Sequence, residues 1–311
     1  MRTAVVIGTV ALDLVAASAT SSHARAAVGN TGANIAVRLS AAGWNVEFVS
    51  LVGRDSAADL VEEDLRRWGV GTSGVVRREG YLTPRVFQAL STSSSSASLL
   101  LTCPRCDRPR GHRLEIPRPD ELPESVVAFA RDADLVIADV AGPASGRLVS
   151  ASRGLTWYEA SLREATDAEI ADLAGRVDAV KCSSEELDHF AAAFADAAEE
   201  PRLRIVTEGA QGVRFQERPA SAWSDWTHTD STLRTPPIDT IGAGDAFTAA
   251  AAGVLAEGGT ALSAVGAGSD AAALACMSEG ARGDMVLSGE VPSAWLDVGV
   301  AFQCGRCDAG I

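Results

Sequence analysis

Along most of the chain, short uninterrupted apolar runs alternate with stretches of helical periodicity. The run from Thr3 to Val10 reads as a buried first strand and precedes a helical pattern from about Gly32 to Ala42; Val46 to Leu51 precedes another from about Ala57 to Trp68. In the second helix Leu60, Val61, Leu65 and Trp68 recur at three- and four-residue intervals. Glu62, Glu63, Arg66 and Arg67 take the solvent side, and Gly69 stops the helix. Leu135 to Val140, Gly154 to Tyr158, Val177 to Lys181 and Arg204 to Thr207 repeat the strand signal, each ahead of a loop and a helical stretch. Strands without a polar face, each leading into a helix, predict an α/β fold: a layered, mostly parallel sheet flanked by helices.

The rhythm breaks between Gly74 and Pro117. Val75-Val76-Arg77-Arg78, the alternating Arg85-Val86-Phe87-Gln88-Ala89, a serine tract and Leu99-Leu100-Leu101 predict antiparallel strands of a small β appendage inserted at 74–117. Two readings of it stand: a lid that closes over a site, or a peripheral ribbon used for dimerisation or stability. The main domain then runs over 1–300, followed by a tail at 301–311.

Composition narrows the classes. The 311 residues are 47% hydrophobic and 22% charged, enough apolar material for a substantial core, which excludes a disordered or fibrous chain. With 27 basic against 41 acidic residues the formal charge is -14, a field that repels nucleic acid and anionic membrane and leaves a small molecule as the expected partner. No apolar run approaches the roughly 18 residues a membrane span needs. Arg2, the run Ala4 to Leu12 and Ala17-Ser18-Ala19 imitate a secretory signal, but Asp13 interrupts it, so a cytoplasmic protein is expected.

Four of the six cysteines form two pairs, Cys103-Pro104-Arg105-Cys106 and Cys304-Gly305-Arg306-Cys307. Two residues between thiols let both sulfurs turn toward one tetrahedral ion, so the pairs together predict a structural zinc site; two reducible disulfides, or thiols with no joint role, are the alternatives. Such a zinc site would tie the appendage to the C-terminus, within a subunit or across an interface. Cys182 and Cys276 lie in apolar or helical contexts that suit buried, inert thiols.

The densest chemical signal is Asp239-Thr240-Ile241-Gly242-Ala243-Gly244-Asp245, ahead of an alanine-rich helix that runs to about Leu255. Gly242, Ala243 and Gly244 let the chain turn closely around an anion and aim backbone N–H groups at it from a helix N-terminus. Asp245 at that helix start either caps the helix or accepts the proton of an attacking hydroxyl. A second glycine-rich element, Gly29-Asn30-Thr31-Gly32-Ala33-Asn34, precedes another helix; Asn34 can donate and accept hydrogen bonds at once, which suits a polyhydroxylated ligand as well as a helix cap. Asp13, after the first strand, is placed to bind paired sugar hydroxyls or to cap a loop.

These two elements together resemble the signatures of the PfkB carbohydrate kinases, also called the ribokinase family, over roughly residues 1 to 290. Asp239 to Asp245 is similar to the C-terminal D-T-x-G-A-G-D signature, and Gly29 to Asn34 to the N-terminal G-G-x-x-x-N element with Asn30 in place of the second glycine. The resemblance implies a ribokinase-like fold, Asp245 as catalytic base, Gly242, Ala243 and Gly244 as anion hole, and Asp13, Gly29, Asn30 and Asn34 toward the substrate. Lys181-Cys182-Ser183-Ser184-Glu185-Glu186 resembles K-x-N-x-x-E, with Ser183 for asparagine and Glu186 as the magnesium-associated acid. Thr207, Gly209 and Gly212 resemble the turn that borders the nucleotide, while Glu159 and Arg163 retain the ends of a drifted D-P-N-x-R. Asp239 and Ala281-Arg282-Gly283 resemble a monovalent-cation loop. The implied reaction is phosphorylation of a primary hydroxyl on a sugar or sugar-containing molecule, with ATP and Mg2+ and with potassium as an activating ion. A nucleoside kinase, with Phe87 or Trp44 stacking on a base, and a non-catalytic sugar-binding or zinc-dependent interaction protein are the rival readings.

Overall fold

The computed structural model describes residues 1–16, 23–90, 97–99, 114–161, 165–191, 201–219, 222–285 and 296–299. The chain begins with β1 (Thr3–Ile7), β2 (Ala11–Ala16), β3 (His23–Gly29), α1 (Thr31–Ala41), β4 (Asn45–Val52), α2 (Ser56–Arg67) and β5 (Gly71–Arg77). Next come β6 (Arg85–Leu90), β7 (Ala97–Leu99), α3 (Glu124–Asp132), β8 (Leu135–Ala138), α4 (Pro143–Ala151), β9 (Leu155–Glu159), α5 (Asp167–Ala174) and β10 (Ala179–Ser183). The last elements are β11 (Leu203–Thr207), β12 (Val213–Glu217), β13 (Thr227–Thr229), α6 (Ala243–Ala256), α7 (Ala261–Ala275) and β14 (Leu296–Gly299).

Nine strands form one sheet in the order β13-β12-β11-β10-β9-β8-β1-β4-β5. All neighbouring pairs from β5 to β11 are parallel, and β12 and β13 extend the far edge antiparallel. Alternation within each strand explains the uninterrupted apolar runs. Ala4, Val6, Leu135 and Ile137 face one core with residues of α1, α2, α6 and α7; Val5, Ile7, Val136 and Ala138 face another with α3, α4 and α5. A sheet covered on both faces buries every position of its central strands, so no polar alternation survives in them. Helix α2 starts where Asp55 accepts the Ala58 N–H at 2.9 Å, an N-cap that satisfies one of the otherwise unpaired amides of the first turn.

The layered, mostly parallel α/β fold anticipated from the sequence is therefore the observed one, with differences at its margins. The first strand stops at Ile7, and Asp13 lies on β2, which belongs to a separate five-stranded sheet in the order β14-β3-β2-β6-β7. Val75 to Arg77 belongs to β5 in the large sheet, paired parallel with β4, rather than to the appendage. The small sheet thus takes β6 and β7 from within 74–117, but also β2 and β3 from the N-terminal region and β14 from near the C-terminus. The strands nearest in sequence to the two cysteine pairs, β7 and β14, occupy its opposite edges. Cys103, Cys106, Cys304 and Cys307 lie outside the described residues, as does Arg163. Cys182 and Cys276 are buried free thiols. Among the described residues no helix is long and apolar enough to cross a membrane.

Because Ile137 is wholly buried in the sheet centre while Leu262 on α7 is 59% exposed, truncating each to alanine should separate core from surface. Ile137→Ala should cost about 2–5 kcal/mol in urea unfolding, and Leu262→Ala should stay within about 0.5 kcal/mol of the parent.

Candidate active site

The site is built where the N-termini of α1 and α6 meet the small sheet. Gly242 adopts φ 77° as the N-cap of α6, and a side chain there would collide with Ala281, so the turn into the helix admits only glycine without rearrangement. Asp239 holds this turn from before it: one carboxylate oxygen accepts the Ile241 N–H at 3.0 Å and the other the Gly280 N–H at 2.9 Å. Asp245 is the third residue of α6 and receives the Asn34 Nδ2–H on Oδ2 at 2.7 Å. Asn34 itself is 4% exposed, and its Oδ1 lies 3.4 Å from Arg282 Nε. Burial pushes the Asp245 carboxyl above its ordinary pKa, opposed by the Asn34 hydrogen bond and by the charges of Lys181, Arg38 and Arg282.

Asp13 approaches from β2, with Leu12 and Leu14 buried on either side of it. A Cβ at Gly29 would fall inside the Asp13 carboxylate, which gives that glycine a steric reason. Burial raises the Asp13 pKa to about 7; Arg282 acts to lower it and Asp245 to raise it further. Asn30 has φ 79°, and among the described residues it is the one non-glycine with positive φ. Its amide donates to Thr9 Oγ1 at 2.5 Å, so its side chain fastens the α1 entry to the turn after β1.

Lys181 is a buried residue of β10. Its ammonium pairs with Glu159 Oε1 at 2.6 Å, both side chains being at most 5% exposed, and Glu159 Oε2 accepts the Thr248 hydroxyl of α6 at 2.6 Å. The ammonium sits under Gly244, 3.2 Å from where a Cβ would project. Ser183 and Glu186 follow the same strand, with the serine hydroxyl donating to Glu186 Oε2 at 3.3 Å. Thr207, Gly209 and Gly212 lie at the end of β11 and in the turn to β12; the Ser184 N–H donates to the Thr207 carbonyl at 2.8 Å, joining this turn to the Glu186 segment.

Several participants escaped the sequence reading. Asp139, wholly buried just past β8, accepts the Gly32 N–H at 2.7 Å and the Thr9 N–H at 3.2 Å, capping α1 from another strand. Burial holds its pKa well above the ordinary carboxylate value, and the two amides oppose that. An acid ending an apolar strand was the signal available. Arg38 and Thr248 gave none, because their partners are distant in sequence, and for Asp64 only its helical phase was available. Trp44, offered as a base-stacking shelf, is instead 6% exposed in the core beside Gly253 of α6. Phe87 takes a position on β6 opposite Leu14. Among the described residues no cluster of three or more His, Cys, Asp or Glu side chains is arranged to hold a metal ion.

A model described as "pfkB family carbohydrate kinase" matches residues 1–286. The chain belongs to that family. Ribokinase of Bacillus subtilis strain 168 is 28% identical over 313 residues, covering 94% of this chain and 98% of its own. A fructokinase with bound ATP from Xylella fastidiosa shares the fold with a TM-score of 0.69 at 22% identity, over 91% of this chain and 94% of that one. An Arabidopsis thaliana ribokinase complexed with ribose and ATP gives 0.70 at 19% identity, over 91% and 95%. The matched residues take in the whole large sheet and, of the small sheet, β2, β3, β6 and β7, while β14 lies beyond them.

Two outcomes follow. Lys181→Met leaves Glu159 buried without its cation and should destabilise the protein by about 3–5 kcal/mol in chemical unfolding, whereas Lys181→Met combined with Glu159→Leu should recover most of the loss. Asp13 binds a proton more tightly folded than unfolded, so its stabilising contribution is complete below the ordinary value of 3.8 and is lost as pH rises toward about 7. Asp13→Asn should therefore gain stability relative to the parent between pH 4 and pH 7, measured by urea midpoints across that range.

Proposed function

We propose that this pfkB-family protein transfers the γ-phosphoryl group of ATP to a primary hydroxyl of a sugar or sugar-containing small molecule. The observation that carries the reading is the Asp245 carboxylate at the first turn of α6, held on one oxygen by Asn34 and set directly beside the Gly242–Gly244 turn. In this reading Oδ1 of Asp245 takes the acceptor proton as the alkoxide attacks phosphorus. A carboxyl raised by burial is a better base near neutral pH than an exposed one. The amides of the glycine turn and the positive end of α6, a helix of 14 residues, then face the charge that accumulates on the transferred group. Phosphoryl transfer asks little covalent chemistry of the protein, so positioning and electrostatics supply most of the acceleration.

Asp13 supplies acceptor hydroxyls with a hydrogen-bond partner from the small sheet, which acts in this reading as the lid. Asn34 is spent on Asp245 and Arg282, so it positions the base more than it reads the acceptor. Lys181 supports the anion hole from beneath Gly244. The oxygen donors of Ser183 and Glu186, neighbours at the end of β10, suit a hard cation, and they would hold the magnesium of the nucleotide directly or through water. When bound, that ion neutralises phosphate charge. The exposed apolar side chains Ile238, Ile241 and Met277 lie on the segments flanking the glycine turn, where the Ile238 N–H donates to the Cys276 carbonyl, and they offer the nucleotide an apolar edge. With Trp44 in the core, a sugar acceptor is favoured over one recognised by stacking on that ring.

A magnesium-ATP screen over pentoses, hexoses and nucleosides should yield a phosphorylated sugar. On the best acceptor Asp245→Asn should lower kcat by about 10²–10⁴-fold while leaving the folded state intact by circular dichroism. Undiminished turnover by Asp245→Asn would sink the assignment.

A further inference from the structure

The turn after α7 carries an arginine that serves three elements at once. Arg282 is 4% exposed. Its Nε faces Asn34 Oδ1 at 3.4 Å, one terminal nitrogen pairs with Asp64 Oδ2 at 2.9 Å, and the other donates to the Val28 carbonyl. Asp64, wholly buried on α2, also accepts the Val28 N–H at 2.8 Å. Both backbone groups of Val28 are therefore held by a charge pair that belongs to two other elements. Val28 is a residue of β3, paired with Leu12 of β2, one position from Asp13.

The same turn is anchored from α1 on the other side. Arg38 makes two bonds to Asp284, at 2.8 and 3.0 Å, and one to the Ala281 carbonyl at 2.6 Å. Ala281 is also the residue packed against Gly242 of the anion hole. Displacement of this turn would thus be felt by the glycine turn, by Asn34 and by the small sheet together. An amide has two chemically different ends, and a guanidinium carries donors only. Arg282 beside Oδ1 consequently presents the Nδ2 end of Asn34 to Asp245.

We propose that Arg282 is a positioning residue of the acceptor site: it orients the Asn34 amide toward Asp245, ties β3 to α2 through Val28 and Asp64, and sets a permanent positive charge near Asp13. It acts through these groups without touching the acceptor. The kinase reading supplies the purpose of the arrangement, while the contacts themselves stand apart from it. Among the described residues, the charged groups that act on Asp13 are Arg282 and Asp245. The groups that face Asp245 are Asn34 and Arg38 from α1, Lys181 from β10 and Arg282, with Asp13, Asp139 and Glu159 as the neighbouring acids. Among the described residues Arg282 is the one cation in both sets, so its removal acts on the two carboxylates in the same direction.

The test separates charge from geometry in the full chain. Removing Arg282 alone strands a buried Asp64, so the neutral pair Arg282→Gln with Asp64→Asn is used beside Arg282→Lys. Carboxyl 13C NMR titration, assigned with Asp13→Asn, reads Asp13 directly and needs no substrate. The neutral pair should move the Asp13 midpoint up by about one pH unit, a tenfold change in proton affinity. Arg282→Lys should leave it near the parent value. With the acceptor found by the screen, both variants should raise the acceptor KM by about tenfold and leave the ATP KM unchanged. An unmoved Asp13 midpoint in the neutral pair would overturn the proposal, as would Arg282→Lys behaving like the neutral pair in the titration, or KM values for acceptor and ATP that shift together. If the parent phosphorylates nothing, the kinase reading fails by itself, and the titration still decides what Arg282 does.

Discussion

Asn34 and Asp245 are 211 positions apart, and the 2.7 Å hydrogen bond between them requires two helices to begin at the same level above the sheet. Asn34 is the fourth residue of α1 and Asp245 the third of α6. Both helices point their positive ends into this place, which favours a carboxylate there even as burial opposes it. Each entry is fixed by an acid outside its helix: Asp139 takes the Gly32 amide of α1, and Asp239 takes the Ile241 and Gly280 amides at the turn into α6. A shift of either acid would pull the amide and the carboxylate apart, and Asp245 would lose the contact that aims it.

Charge is the second constraint. Asp13, Asp139, Glu159 and Asp245 converge on a region with little water, and carboxylates so placed repel one another and resist ionisation. Lys181, Arg38 and Arg282 offset the repulsion at Asp245, Lys181 also at Glu159 and Arg282 also at Asp13. The identity of the first has a steric basis. Among the chain's 27 basic residues Lys181 is the single lysine. It lies with its nitrogen 3.2 Å from the space a Gly244 side chain would take. A compact ammonium fits between Glu159 and the α6 backbone, where a planar guanidinium needs more width. Elsewhere the fork is the better shape: Arg38 uses it on Asp284 and Arg282 on Asp64 and Val28.

What the sequence disclosed follows from how local each feature is. The parallel strands were legible because burial on both faces leaves bare apolar runs, and the Asp239–Asp245 element because its chemistry is contiguous. The small sheet was only partly legible, since its five strands come from segments separated by up to most of the chain, and β2 and β3 are built largely of small residues without strong alternation. Asp64 shows the boundary between the two cases. Helical phase places it with Val61, Leu65 and Trp68 on the buried face of α2, so its burial could have been read from spacing. Its partners, Arg282 and Val28, could not, because they meet it only through the folded chain. The same holds for Asp139, whose acid is visible at a strand end but whose two amide partners lie more than 100 residues earlier.

Asn30 holds the entry to α1 in a strained backbone conformation. Its backbone, at φ 79° and ψ 158°, lies in a region that glycine enters freely and side chains enter at a cost of order 1–3 kcal/mol. A glycine would remove that strain, so something must hold the asparagine in place. The 2.5 Å bond from its amide to Thr9 Oγ1 does so, and Thr9 is also bound through its N–H to Asp139. Asp139 in turn caps Gly32, two residues beyond Asn30. The asparagine therefore closes a loop of contacts, from the turn after β1, through β8, to the first turn of α1. Glycine at this position would relax the backbone and leave the loop open, freeing the α1 entry to move relative to β1. Strain at this position is the cost of a rigid helix start, and Asn34, one turn further along α1, holds Asp245 from that start.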